Sequence, residues 1–125
     1  GSGSGWTTAL LADIVGPSGQ VYAVERVAAL KEFGQKNVKK YNFKNVDFFC
    51  QDGTKGLSRY APFDRILVSA AAFEVPAALK EQLEIGGQMV IPTAENDIRL
   101  IKKIDAGNFE ETIHHGFVFV PLIED

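Results

Sequence analysis

No apolar run in the chain approaches the roughly 20 residues that cross a bilayer as a helix. No basic, apolar and small-residue succession makes a signal peptide either, so a cytoplasmic location is expected. Cysteine is almost absent. The single Cys50 excludes an internal disulfide. It closes the apolar run Val46–Cys50 with no histidine nearby to activate it, and reads as a buried strand thiol rather than a nucleophile. Positive charge is also in deficit: a net charge of -3, a pI near 5.4 and scattered lysines argue against nucleic acid as a partner. Lys39-Lys40 and Lys102-Lys103 read as solvated surface charges. Histidine is confined to His114 and His115. Neighbours on a strand point to opposite faces, and no third ligand stands at a recognisable spacing, so no metal site is expected.

What is present describes an ordinary globular protein: 125 residues, 46% hydrophobic and 23% charged, are expected to form one domain over 1–125. No methionine opens the chain, which reads as a processed, cut or engineered start. Gly1-Ser2-Gly3-Ser4-Gly5 by itself has the composition of a flexible linker, but the helix and strand after it give it a different meaning. Trp6 to Val15 carries Leu10, Leu11, Ile14 and Val15 at helical spacing, and Gly16-Pro17-Ser18-Gly19 stops the helix. Val21-Tyr22-Ala23-Val24 is an apolar strand ending on the acid Glu25. Glycines at a helix start let backbone approach a ligand, and an acid at the next strand tip accepts hydrogen bonds from two ribose hydroxyls. A nucleoside cofactor is implied. The dinucleotide pattern G-x-G-x-x-G fails at Trp6 and no G-K-[ST] follows, so S-adenosylmethionine fits better than NAD or ATP.

Helix and strand continue to alternate. Ala28 to Tyr41 reads as a crossover helix with Leu30, Phe33, Val38 and Tyr41 on one face, Gly34 being a weak point worth about 1 kcal/mol against alanine. Val46–Cys50 is a strand, followed by the polar loop Gln51-Asp52-Gly53. Pro62-Phe63-Asp64 turns into a central strand, Arg65–Ser69. Val75 to Leu83 reads as a helix opened by Pro76, separated by Gly86-Gly87 from the strand Gln88–Pro92. Two strand-like runs, Ile98–Ile104 and Ile113–Val120, joined by Asp105 to Thr112, predict a terminal antiparallel hairpin. This is a βαβ rhythm, and the fold class is α/β.

Across nearly its whole length the chain resembles the protein-L-isoaspartate O-methyltransferase family. The resemblance is carried, in order, by Gly1–Trp6, Val21–Arg26, Asp52-Gly53, Ala61–Asp64, Ala70-Ala71-Ala72, Gln82-Leu83 with Gly86-Gly87, Val90-Ile91-Pro92 and Phe119–Leu122. It implies a Rossmann-like class I methyltransferase sheet of seven strands, mostly parallel, with an antiparallel last strand and with the first strand absent from this chain. It further implies that Gly1, Gly3 and Gly5 line the methionine end of S-adenosyl-L-methionine. Glu25 would hold the ribose with Arg26 beside it, Asp52 and Gly53 would contact adenine, and Ala70, Ala71 and Ala72 would wall the peptide site.

The implied reaction is methylation of the α-carboxylate of L-isoaspartyl residues in damaged proteins, a repair step that releases S-adenosyl-L-homocysteine. The family's substrate-contacting Ser or Thr segment precedes the glycine loop, so no catalytic residue is assigned here. Without the strand before Gly1, the strands ending at Glu25 and Ser69 lack a shared neighbour. The chain is therefore expected to need a complementary amino-terminal segment or to self-associate. Phe73 stands where the family has proline, Thr93-Ala94-Glu95 replaces a glycine-rich turn, and Ile123 replaces a polar residue. The alternatives are a methyltransferase with another substrate, or an inactive cofactor-binding fragment or assembly module working with a partner chain.

Overall fold

Helix α1 (Trp6–Val15) and strand β1 (Val21–Glu25) form where the helical spacing and the Gly16–Gly19 stop place them. Helix α2 (Ala28–Lys39) and strand β2 (Val46–Cys50) come next along the chain. The computed structural model describes residues 1–125, which divide into two compact units, Gly1–Gly53 and Thr54–Asp125. In the first unit β1 and β2 are parallel and in register from Val21↔Val46 to Glu25↔Cys50.

One residue ties this unit together at the amino-terminal ends of its strands. The buried Asn45 donates from Nδ2 to the carbonyls of Ala12 and Gly16, at 3.0 and 2.8 Å, while its own carbonyl accepts the Val21 N–H at 2.8 Å. Two of the carbonyls left over at the end of α1 thus find a partner far along the chain.

The faces the two helices bury differ from those the apolar spacing predicts. Helix α1 buries Thr8 and Ala12, while Leu10, Ile14 and Val15 stay exposed. Helix α2 buries Gly34 and Val38, while Leu30, Phe33 and Tyr41 stay exposed. Close approach to the glycine loop selects the small-residue face of α2, and side-chain size overrides hydrophobicity there. Cys50 is a second correction. It is exposed, because it sits at the last position of β2, where its thiol donates to the Arg26 carbonyl at 3.7 Å.

After a 3-10 turn at Gly53–Lys55, which starts on the last residue of the first unit, the second unit forms a 3-10 turn at Ser58–Tyr60, β3 (Phe63–Leu67), α3 (Ala77–Glu81), β4 (Leu83–Thr93), β5 (Asp97–Lys103) and β6 (Phe109–His115). Its sheet has the order β3-β4-β5-β6, parallel between β3 and β4 and antiparallel thereafter. The fold is α/β as expected, but parallel and antiparallel ladders are equal in number, and β1 and β3 share no strand. Leu79, Leu83, Met89, Ile91, Ile101 and Ala72 form the core. Each of its large side chains contributes roughly 1.5–3 kcal/mol by leaving water.

Three boundaries move for identifiable reasons. Helix α3 is shorter than Val75–Leu83 because the Gln82 carbonyl already accepts the Phe63 N–H at 2.8 Å and Leu83 pairs with Phe63. Lys103, predicted as a solvated charge, instead donates from Nζ to the Glu81 and Leu83 carbonyls at 2.8 and 2.9 Å, sealing that helix end. Gly86-Gly87 lies inside β4: the register passes from Phe63↔Leu83 to Arg65↔Gln88, so the residues between them on β4 bulge, with Gly86 at φ 85. The last strand begins at Phe109 and ends at His115, where Gly116 and Phe117 both donate to the Asn96 carbonyl and lead the chain out of the ladder.

The β4–β5 turn holds a charge that the sequence reading did not mark. Asp97 is fully buried and accepts from Thr93 Oγ1 at 2.6 Å and from Arg99 Nε at 3.2 Å. The Thr93 hydroxyl, and then Arg99, hold its carboxyl below the usual carboxylate range. A depressed folded pKa contributes stability that is complete above the ordinary value of about 4 and is lost as pH falls through the lower folded value. The urea midpoint of this unit is therefore expected to decline below about pH 4, and Asp97→Asn is expected to flatten that decline. Identical acid profiles for the two proteins would refute the assignment.

Candidate cofactor site

The parallel register sets Glu25 beside Cys50, so the segments leaving the two strands, Arg26-Val27 and Gln51–Gly53, emerge side by side. The Gln51 N–H donates to the Glu25 carbonyl at 3.2 Å and extends this alignment by one residue. Sheet carboxyl ends are where open α/β sheets bind ligands.

The glycine loop folds against the tip of β1. The Gly1 and Ser2 nitrogens both donate to the Val24 carbonyl at 3.0 Å, and the Gly5 N–H closes back on the Ser2 carbonyl at 3.0 Å. Glu25 is buried and holds the loop through its carboxylate: Oε2 accepts the Gly3 N–H at 3.0 Å and Oε1 accepts the Val27 N–H at 3.2 Å. A carboxylate offers about four acceptor positions. Both oxygens of Glu25 thus keep capacity for hydroxyl donors after fixing the loop.

Of the residues assigned from the sequence, Gly1, Gly3, Gly5, Glu25, Arg26, Asp52 and Gly53 all fall in the first unit. Glu25 and Asp52 are both buried, Arg26 is exposed, and a Cβ on Gly53 would lie 3.8 Å from Val24 Cγ1. Ala70, Ala71 and Ala72 are buried in the second unit. The Ala71 N–H donates to the Val120 carbonyl and its own carbonyl accepts from Leu122, while Ala72 N–H donates to the Pro92 carbonyl. The alanines are therefore stitched between the end of β4 and the Val120–Leu122 segment.

The sequence reading missed Gly34 as a functional position. A Cβ there would collide with the Gly3 carbonyl oxygen and come within 3.2 Å of the Gly5 nitrogen. Reciprocally, a Cβ on Gly5 would lie 2.6 Å from the Gly34 carbonyl and 2.9 Å from Val38 Cγ2. Asn37, one helix turn on, donates from Nδ2 to the Ser4 carbonyl at 2.9 Å. Gly34, Asn37 and Val38 share one face by i, i+3, i+4 spacing. A glycine inside an otherwise regular helix, with a polar and a β-branched residue after it at those spacings, was the available signal.

A buried hydroxyl adds a chemical requirement. Ser2 Oγ lies inside the loop without a hydrogen-bond partner in the chain. An unmatched buried polar atom costs about 1–3 kcal/mol, so a polar group reaching the Ser2 hydroxyl would be favoured. The loop also opens α1, whose Gly5 cap supplies no side-chain bond to the first-turn N–H groups. No cluster of three or more His, Cys, Asp or Glu residues is arranged to hold a metal ion. No helix is long and apolar enough to cross a membrane.

The family model for protein-L-isoaspartate(D-aspartate) O-methyltransferase (PCMT) matches residues 1–125. A protein-L-isoaspartate O-methyltransferase of Methanothrix thermoacetophila is 43% identical over 125 residues, covering 98% of this chain and 59% of its own length. That of Methanopyrus kandleri is 43% identical over 127 residues, covering 98% and 56% respectively. Among solved structures, a protein-L-isoaspartate O-methyltransferase superposes with a TM-score of 0.90 at 29% identity, over 97% of this chain and 39% of that one. A Plasmodium falciparum candidate for the same enzyme, in complex with S-adenosyl-L-homocysteine, gives 0.84 at 25% identity, over 100% and 64%. The chain thus spans little more than half the length of these curated relatives. On a family match over its whole length and relatives 43% identical over 98% of it, the chain belongs to the protein-L-isoaspartate(D-aspartate) O-methyltransferase family.

Proposed function

We propose that this chain forms the S-adenosyl-L-methionine-binding part of an enzyme that methylates the α-carboxylate of L-isoaspartyl residues in damaged proteins. The observation that carries the reading is Glu25, a buried carboxylate that ties down the glycine loop while retaining acceptor positions. Gly1, Gly3 and Gly5 line the methionine end, with the Ser2 hydroxyl as a free polar contact. Glu25 receives the two ribose hydroxyls, Arg26 stands beside it, and Asp52 and Gly53 meet the adenine. When bound, the cofactor supplies an activated methyl group on a sulfonium.

The receiving carboxylate is already ionised near neutral pH, so the reaction needs no strong general base. The protein's work is to hold oxygen, carbon and sulfur in line and to keep water away. Ala70, Ala71 and Ala72, small and buried in the second unit, are taken as a wall of the peptide site. The ester formed then closes spontaneously to a succinimide, as the neighbouring backbone amide nitrogen of the substrate attacks the ester carbonyl and methanol leaves.

The deciding experiment combines calorimetry with S-adenosyl-L-homocysteine and a methyl-transfer assay on paired isoaspartyl and normal aspartyl peptides. Binding together with transfer to the isoaspartyl peptide alone is the expected result. Binding with transfer only to other substrates would replace the substrate assignment. Binding without transfer would make the chain a cofactor-binding module, and absence of binding would refute the site.

A further inference from the structure

The wall of alanines is braced by a buried polar cluster that neither the cofactor site nor the proposed chemistry uses. Ala72 pairs with Thr93 in a parallel bridge: its N–H donates to the Pro92 carbonyl at 3.0 Å and its carbonyl accepts the Ala94 N–H at 2.9 Å. Thr93 therefore sits between the two bonds that fix Ala72. Its hydroxyl donates to Asp97 Oδ1 at 2.6 Å and accepts the Glu95 N–H at 3.3 Å. Arg99 grips Asp97 through Nε at 3.2 Å and through a terminal nitrogen at 3.3 Å, and also reaches Glu95 at 2.9 Å and Glu111 at 3.1 Å.

Burying a carboxylate is costly unless it is paired, and a well-packed apolar pair of similar volume often serves stability as well or better. The Thr93–Asp97–Arg99 cluster offers something an apolar pair does not, namely directional bonds that fix one backbone position. The residues that build it include Thr93, Ala94 and Glu95, the segment at which the chain departs from the glycine-rich turn of the family it resembles. A glycine-rich turn has freedom to lose; this one is bolted.

We propose that Thr93, Asp97 and Arg99 are positioning residues that hold the Ala70–Ala72 wall in the shape that receives the isoaspartyl peptide. They act through Ala72 rather than by touching substrate. This extends the peptide role proposed for the alanines and rests on it. The brace sets how well the peptide binds and leaves the chemical step and cofactor affinity alone.

The test compares Thr93→Val with wild type and with Thr93→Ser in the complete natural protein. Valine keeps the volume and leaves the Asp97–Arg99 pair intact, while removing the hydroxyl. KM for the isoaspartyl peptide is expected to rise about fivefold, the equivalent of one hydrogen bond. The expected kcat and affinity for S-adenosyl-L-homocysteine are those of wild type, exchange is faster at the Ala72 and Ala94 amides, and serine restores both KM and exchange. A lower melting temperature with KM and exchange unchanged overturns the proposal and makes the cluster purely structural. If the wild-type control itself fails to methylate the peptide, the substrate reading falls and takes this extension with it, an outcome distinct from an active wild type with an unaltered variant.

Discussion

Replacing Gly34 by alanine is expected to lower both the stability of the first unit and its affinity for S-adenosyl-L-homocysteine, although alanine is the better helix former. On propensity alone the exchange would gain about 1 kcal/mol. Against this, the added Cβ collides with the carbonyl oxygen of Gly3, a backbone atom of the very loop proposed to line the cofactor. Overpacking of this kind costs about 1–3 kcal/mol, and here the strain is relieved only by moving the loop away from α2. Misplacing even one charge-assisted contact of that loop costs about tenfold in affinity. Gly107→Ala is the matched control, because Gly107 has no atom within 4 Å of an added Cβ. It should change stability by less than about 0.5 kcal/mol. Thermal melts and calorimetry on the pair decide the matter, and a Gly34→Ala protein that binds and melts like wild type would sink the packing argument.

The second large effect is expected at Glu25. Its alanine variant loses the acceptors proposed for two ribose hydroxyls, each worth about 1.5–3 kcal/mol as a charge-assisted bond, so affinity for S-adenosyl-L-homocysteine is expected to fall about 100-fold or more. The variant also strands the Gly3 and Val27 N–H groups that the carboxylate accepts. Loop order is therefore lost together with the direct contacts. Glutamine keeps one carbonyl acceptor and should fall between the two. The ribose is common to S-adenosylmethionine and S-adenosylhomocysteine, so both should weaken by the same factor. Unequal weakening would place the carboxylate near the sulfur instead, and unchanged affinity would remove it from the site.

How much of this was legible beforehand depended on whether the signal was local. Helix α1 and strand β2 run over the residues read from the sequence, Trp6–Val15 and Val46–Cys50, because glycine, proline and asparagine punctuation brackets them. Glu25 was legible as a strand-end acid by counting along the βαβ unit, and Asp52 as part of the polar loop that follows β2, its adenine role coming from the family resemblance alone. The buried faces of α1 and α2 were not, because periodicity reports apolar residues while the contact with the loop demands small ones. Gly34 was misjudged for the same reason. The bulge in β4 and the shift of β6 depend on cross-strand register, which no segment carries in its own residues. Asp97 was invisible in a one-dimensional reading, because its partners Thr93 and Arg99 gain meaning only once the hairpin turns.

Asn45 has a bearing on how the first unit assembles. The carbonyls it holds belong to Ala12 and Gly16, and the amide it accepts belongs to Val21. The end of α1 and the beginning of β1 are therefore sealed only when a residue from the far side of α2 arrives. Formation of this unit is consequently a closing of one long loop, in which the carboxyl end of α1 is protected only once the chain after α2 is in place. Long-range closure of this kind slows folding relative to a run of local hairpins. It also couples opening of the α1 terminus to departure of β2, so amide exchange at Val21 should report the opening of the whole unit rather than fraying of a strand end.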